Sequence, residues 1–176
     1  LYGGGSGGAV RLYIRPESKK GTSVSEQFNA GTFGLFHSST ALTNTGDNHS
    51  ITATYSHIGS DGYRPHGKSI KNFYTINGEF KLNTKQKITL LASHGNSLEQ
   101  VSGQISYDDY YNGIDNGNFS YIRRGAKTKF VTSRVGVGHI WDISKNFKNS
   151  TTVFYSGTTS DRIAAGASET YSAPNY

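Results

Sequence analysis

The chain contains no cysteine, which excludes both a disulfide framework and a thiolate metal site. Charge is scarce at 17% of residues, and only 34% are hydrophobic, against about 45–50% in ordinary soluble domains on a count that includes glycine. A conventional interior is therefore not expected. Disorder is not expected either, because disordered chains are poor in aromatics and rich in charge or proline, whereas 12% of these residues are aromatic and only 3 are proline. No apolar run approaches the ~18–20 residues of a spanning helix, which leaves a membrane β-barrel open, since barrels cross with short alternating strands. Neither a start methionine nor a signal peptide is present, and Leu1 lies against a glycine-rich motif. A fragment of a longer protein is the expectation. Net charge is +6 with a pI near 9.4, yet no basic run is longer than Lys19-Lys20 or Arg123-Arg124. Scattered turn and loop cations account for that charge, and no nucleic-acid partner is expected.

The balance is made up by 22 glycines, by serine, threonine and asparagine, and by 12 tyrosines and 9 phenylalanines. Such a mixture suits β-structure that is wet on one face. Alternation with a period of two recurs throughout, and the pattern shows no convincing helix. In Ile51–Ile58, Ile51, Ala53 and Tyr55 oppose Thr52, Thr54 and Ser56. In Asn72–Leu82, Tyr74, Ile76, Phe80 and Leu82 oppose Thr75, Asn77, Glu79 and Lys81. Lys87–His94 and Phe130–Trp141 repeat the pattern, and Ser23–Gly31, Phe33–Thr43 and Ser150–Ser156 carry weaker versions. About seven strands follow, many of them longer than the average strand of about 5–6 residues.

The links between them alternate in length. Asn44–Asn48, Asn83–Lys85 and Ser144–Asn146 have the composition of hairpin turns. Gly59–Ser69 and Gly95–Ala126 are long, another long link opens near Gly157, and only Gly31–Gly34 is short where a long one is due. Long strands with short turns at one end and long loops at the other are the pattern of an outer-membrane barrel. Glu79, Lys81 and Arg134 on the polar faces suit a watery lumen. Trp141, Tyr55, Tyr74 and Tyr155 on the apolar faces suit interfacial girdles.

Three stretches carry a resemblance. Tyr2, Gly3, Gly5, Gly7 and Gly8, followed by the alternating Ala9–Ile14, are similar to the motif that closes the plug domain of TonB-dependent outer-membrane receptors. Ile51–Arg64, ending in Asp61, Gly62, Tyr63 and Arg64, resembles that family's third barrel strand running into its first large loop. Thr132–Gly157 is similar to one of its hairpins, and the pattern looks most like the iron-siderophore or iron-citrate branch. The resemblance implies an all-β fold: an antiparallel transmembrane β-barrel fragment of about seven strands, preceded by the last plug strand. Residues 1–20 would be the plug end and linker, and residues 21–176 the first part of a 22-stranded barrel in the outer membrane of a Gram-negative bacterium. It further implies active import of a ferric siderophore or iron chelate. The TonB complex would supply the energy through a TonB box upstream of this chain, and outer-membrane lipid would surround the wall.

Sharper chemical readings find little support. Gly3, Gly5 and Gly8 match a dinucleotide fingerprint formally, but that motif needs a strand before it and a helix after it. His37, His49, His57, His66, His94 and His139 are spread over separate segments without metal-ligand spacing, and no nucleophile elbow is present. No cofactor and no enzymatic activity are expected. The candidate ligand contacts lie in the long links: Tyr63 and Arg64 in one, and Tyr107, Asp108, Asp109, Tyr110, Tyr111, Arg123 and Arg124 in the other. Tyrosine rings offer flat amphipathic surfaces, and arginines suit an anionic iron chelate. The alternatives are a soluble secreted β-sandwich that binds carbohydrate or acts as an adhesin, and a passive porin, against which the glycine motif speaks.

Overall fold

The computed structural model describes residues 20–164. The glycine motif Tyr2–Gly8, the alternating stretch Ala9–Ile14 and most of the linker lie outside the described residues, so the expectation for the plug is not addressed by them. Seven antiparallel strands form one sheet in sequence order: β1 (Gly21–Ala30), β2 (Phe36–Thr45), β3 (His49–Ser60), β4 (Ser69–Lys81), β5 (Gln86–Gln100), β6 (Lys127–Ser144) and β7 (Phe147–Ile163). The all-β expectation and the strand count hold. Among the described residues the sheet is open, with β1 and β7 as its edges.

Some boundaries differ from the sequence pattern, each for a local reason. Phe33 belongs to a turn and not to β2, because its φ of 57° is left-handed. β5 runs on to Gln100, and β7 continues through Gly157 to Ile163, since pairing with β6 persists over the whole length of both. The long β5–β6 link also contains two short helices, α1 (Tyr107–Tyr111) and α2 (Phe119–Arg124). Periodicity is blind to single helical turns, but their caps are local. Ser106 accepts from the Asp109 amide, Asn118 accepts from the Ser120 and Tyr121 amides, and Gly125 closes α2 with a left-handed φ of 63°.

The register decides what each face presents. Val24, Leu42, Ala53, Ile76, Ala92, Val135 and Tyr155 are successive cross-strand partners, so one apolar row crosses every strand. Ile51, Gly78, Leu90, Val137 and Val153 form the next row toward the turns. Ring-bearing rows flank this belt. On the loop side Tyr55, Tyr74 and His94 are partners, with the two tyrosine rings stacked at 4.9 Å. On the turn side Phe80, Ile88 and His139 are partners, with Trp141 beside His139. Polar groups on this face satisfy one another: His57 and Tyr55 both meet Asn72 Oδ1, His94 meets Ser133, His139 meets Gln86, and Glu26 accepts from Thr40.

The opposite face is the more polar one, although Ile58, Phe73, Leu91, Phe130, Ile140 and Phe154 also fall on it. Ser25, Ala41, Thr54, Thr75, Ser93, Arg134 and Ser156 make up the parallel row. Hydroxyl pairs cross the strands at Thr43–Thr52, Thr45–Ser50 and Thr132–Thr158. Lys87–Glu79 and Lys71–Glu99 ion pairs run diagonally between β4 and β5. Glu79, Lys81 and Arg134 thus share one face, as their alternation implies.

No core lies between the faces. Ala126, at 1% exposure, is the one buried hydrophobic residue among those described, while Val24, Leu42, Ile76, Val135, Val137 and Val153 are all exposed. Continuity of the backbone ladder and cross-strand side-chain pairs hold the sheet together. Each such pair contributes roughly 0.2–1 kcal/mol. The turn ends are staggered. Thr45, Glu79 and Gly138 belong to one row. β2 ends at that row, β4 ends further on at Lys81, and β6 further still at Ser144.

The stacked pair gives a direct check on the register. A double-mutant cycle with Tyr55→Ala and Tyr74→Ala is expected to return a coupling of about 0.5–1.5 kcal/mol. Coupling near zero, measured on the folded protein, would mean that the two strands pair differently.

Candidate functional site

The two long links and the short β1–β2 link leave the same end of the sheet, because an antiparallel meander returns to that end at every second connection. These are residues 31–35, 61–68 and 101–126, while residues 46–48, 82–85 and 145–146 turn tightly at the other end. The loops are knitted into one body. The Asp61 amide donates to the Phe33 carbonyl at 2.9 Å, and the Phe33 and Tyr63 rings meet edge to face at 6.1 Å. His66 Nε2 lies 2.7 Å from the Ala126 carbonyl, so Nε2 carries the proton there, and Ser102 Oγ donates to the His66 carbonyl at 3.2 Å. The Gln100 and Val101 amides donate to the Lys68 and Ala126 carbonyls.

Two backbone positions demand glycine. Gly62 has a φ of 77°, and a Cβ there would sit 2.6 Å from the Gly67 carbonyl oxygen. Gly103 has a φ of 74°, with Tyr121 and Asn118 within 2.8 Å of the same imagined atom. Side chains are strained in this region of φ, and backbone neighbours cannot swing away.

At the centre of this body is Arg64. Its Nε lies 2.7 Å from both carboxylate oxygens of Asp115 but is aligned for a hydrogen bond only with Oδ2; Oδ1 is shielded from solvent and has no hydrogen bond. Nη1 reaches the Gly103 carbonyl at 3.4 Å, and the guanidinium lies 5.2 Å from the centre of the Tyr63 ring. The hydrogen bond to Asp115 raises the guanidinium pKa further above its ordinary value. Arg64 is therefore a strut between two loops. Its charge is already matched within the protein. Asp115 is one of the three aspartates of the Tyr107–Asn118 stretch, but nothing in the sequence pairs it with Arg64, 51 positions away.

The remaining candidates fall into two groups. Tyr107, Tyr110 and Tyr111 gather on α1, each about two-thirds exposed, with centroids 4.4 Å apart for Tyr107–Tyr111 and 5.4 Å for Tyr110–Tyr111. A hydrogen bond with Tyr111 raises the Tyr107 phenol pKa, with burial and the Asp108 charge adding to it. Asp108 and Asp109 lie in the same helix, and neither is in an ion pair among those described. Arg123 and Arg124 sit instead in the last turn of α2, where cations suit the carbonyl end of a helix. Arg123 lies 5.8 Å from the centre of the exposed Phe119 ring. Phe33, Ile114 and Phe119 join the exposed apolar rim, although the alternation pattern gave no reason to select them. Among the described residues, no group of three or more histidine, aspartate or glutamate side chains is placed to hold a metal ion.

The class this defines is an open antiparallel meander, two-faced along its length, with a structured aromatic loop body at one end. Comparison with protein-family models and with curated proteins gives no match for this chain.

Two outcomes follow from this geometry. Arg64→Ala should raise hydrogen exchange at least tenfold at the Asn118 amide, which donates to Ser102 at 2.6 Å, and leave the β3–β4 ladder unchanged. Arg64→Lys should not restore protection, because lysine lacks the planar fork that serves Asp115 and Gly103 together. On alkaline titration, Tyr107 should keep its proton above the ordinary phenol range. The contact with Tyr111 is then intact at neutral pH and lost only as pH rises through the raised value. In Tyr111→Phe, tyrosinate absorbance should appear at lower pH, and an unchanged curve would refute the contact.

Proposed function

We propose that this chain is part of a TonB-dependent outer-membrane receptor that imports a ferric siderophore or a similar iron chelate. Residues 1–20 close its plug domain, and residues 21–176 begin its barrel. The observation that carries this reading is the apolar row from Val24 to Tyr155, which crosses all seven strands with nothing packed over it among the described residues. A soluble sheet hides such a face against another layer. A barrel wall turns it to lipid and turns its polar face to a water-filled lumen. Lipid cannot hydrogen-bond, so polar groups on the outer side must pair internally; the His94–Ser133 and His57–Asn72 pairs meet that requirement.

In this reading the mechanism is binding and passage, without chemistry on the ligand. The loop body of residues 31–35, 61–68 and 101–126 faces the cell exterior and receives the chelate. The TonB complex, engaged through a TonB box upstream, rearranges the plug, and the chelate crosses the lumen to the periplasm. The loop struts hold the receiving surface in shape while the plug moves.

The test uses the protein expressed with its native flanking sequence and refolded into phospholipid vesicles. A heat-modifiable gel band is expected. Ala92→Arg, on the apolar row, should cost about 2–4 kcal/mol of folding stability in the bilayer, whereas Thr75→Arg on the polar face should cost little. The 176-residue piece alone, with two unpaired edges, is expected to aggregate in water without detergent. A monodisperse, detergent-independent protein would point to a soluble β-sandwich instead.

A further inference from the structure

Three Asn-Gly steps occur in the chain, at Asn77–Gly78, Asn112–Gly113 and Asn116–Gly117. In such a step the glycine amide nitrogen can attack the asparagine carboxamide carbon, since no side chain hinders the approach. The attack needs an amide free of its hydrogen bond, and the fold treats the three differently. Gly78 stands inside β4, between β3 and β5, where the amides belong to the ladder. The Gly113 amide donates to the Tyr110 carbonyl at 3.2 Å, and Asn112 is the C-cap of α1. The Gly117 amide has no hydrogen-bond partner among the described residues, and the Asn116 side chain is exposed.

The third step also lies between two anchors. On one side Asp115 holds Arg64. On the other, the Asn118 amide donates to the Ser102 carbonyl at 2.6 Å, and the Asn118 side chain caps α2. Between them Gly117 has a φ of 72°, and a Cβ on it would stand 3.2 Å from the Ser102 carbonyl oxygen and 3.4 Å from that of Pro65. The chain is closely fitted there.

We propose that Asn116–Gly117 is a spontaneous deamidation site whose product loosens the Arg64–Asp115 strut as the protein ages, whether or not the chain belongs to a receptor. The Gly117 nitrogen, having given its proton to hydroxide, bonds to Asn116 Cγ. The carboxamide nitrogen leaves, takes a proton from water and departs as ammonia, which closes a cyclic imide and restores the hydroxide. Water then opens the imide at one carbonyl or the other, giving aspartate or isoaspartate. Either product puts a second carboxylate next to Asp115. Isoaspartate also adds a methylene to the main chain between Asp115 and Asn118, where both ends are tied.

The experiment holds the complete folded protein at mildly alkaline pH and follows it by peptide mapping, with a urea-unfolded sample alongside. In the folded protein Asn116 should react at least tenfold faster than Asn77 or Asn112, whose amides must first open. In urea all three should react at similar rates. The Asn116 rate should rise with pH, because the attacking nitrogen must lose its proton. Asn116→Gln, whose longer side chain closes a ring far more slowly, should stay unmodified. In the isoaspartyl form, separated by chromatography, hydrogen exchange at the Asn118 amide should rise at least tenfold. Asn116→Asp, which carries the charge without the extra methylene, should raise it less. Reaction in the folded protein at Asn77 or Asn112 as fast as at Asn116 would overturn the site, and so would tenfold protection of Asn116 relative to urea. An isoaspartyl form whose Asn118 amide stays protected would overturn the loosening.

Discussion

The ladder of backbone hydrogen bonds is what everything else in this molecule rests on. With one buried hydrophobic side chain among the described residues, no interior forces the strands together. Register does the work that packing does in a globular domain. A slip of one residue would move a whole strand's apolar set to the wrong face, and seven strands agree on one alignment. Turns of minimal length at one end fix each hairpin. At the other end, the connections must be long enough to fold on themselves, and they do so by exchanging backbone hydrogen bonds between loops.

That division of labour explains where order comes from in the loop body. Its rings are exposed and contribute little burial. It is held by Arg64 with Asp115, by His66 with Ala126, and by glycines in conformations that side chains disfavour. These are contacts between positions far apart in sequence. The sheet, by contrast, pairs only strands that follow one another in the chain.

The difference also sets what the sequence revealed. Strand existence, count and sidedness were legible, because alternation is a local signal; Tyr55, Tyr74 and Trp141 fall on the face that their spacing implies. The ends of β5 and β7 were not legible, since a strand continues wherever its neighbour offers partners, whatever its own pattern. α1 and α2 were missed because one helical turn has no period to detect, although Ser106 and Asn118 stood at their starts as caps. Tyr107, Tyr110 and Tyr111 come together as a helix places residues three and four apart. The partner of Arg64 was not legible for a simple reason: an arginine in a loop shows its charge in the sequence but not the aspartate that pairs with it. The seven described strands form an open sheet.

The stagger of the turn ends has a geometric consequence. From the row shared by Thr45, Glu79 and Gly138, β6 runs on to Ser144 while β2 stops. At a rise of about 3.3 Å per residue and a strand spacing of about 4.8 Å, that offset is about 20 Å over a lateral distance of about 19 Å. If the turns lie at one level, the strands lean by about 45°, the slant that closed barrels require for their shear. On such a slant the stretch of β6 from Val131 to Trp141, about 33 Å along the chain, stands about 23 Å tall, close to the outer band of about 25 Å in barrels that sit in a bilayer.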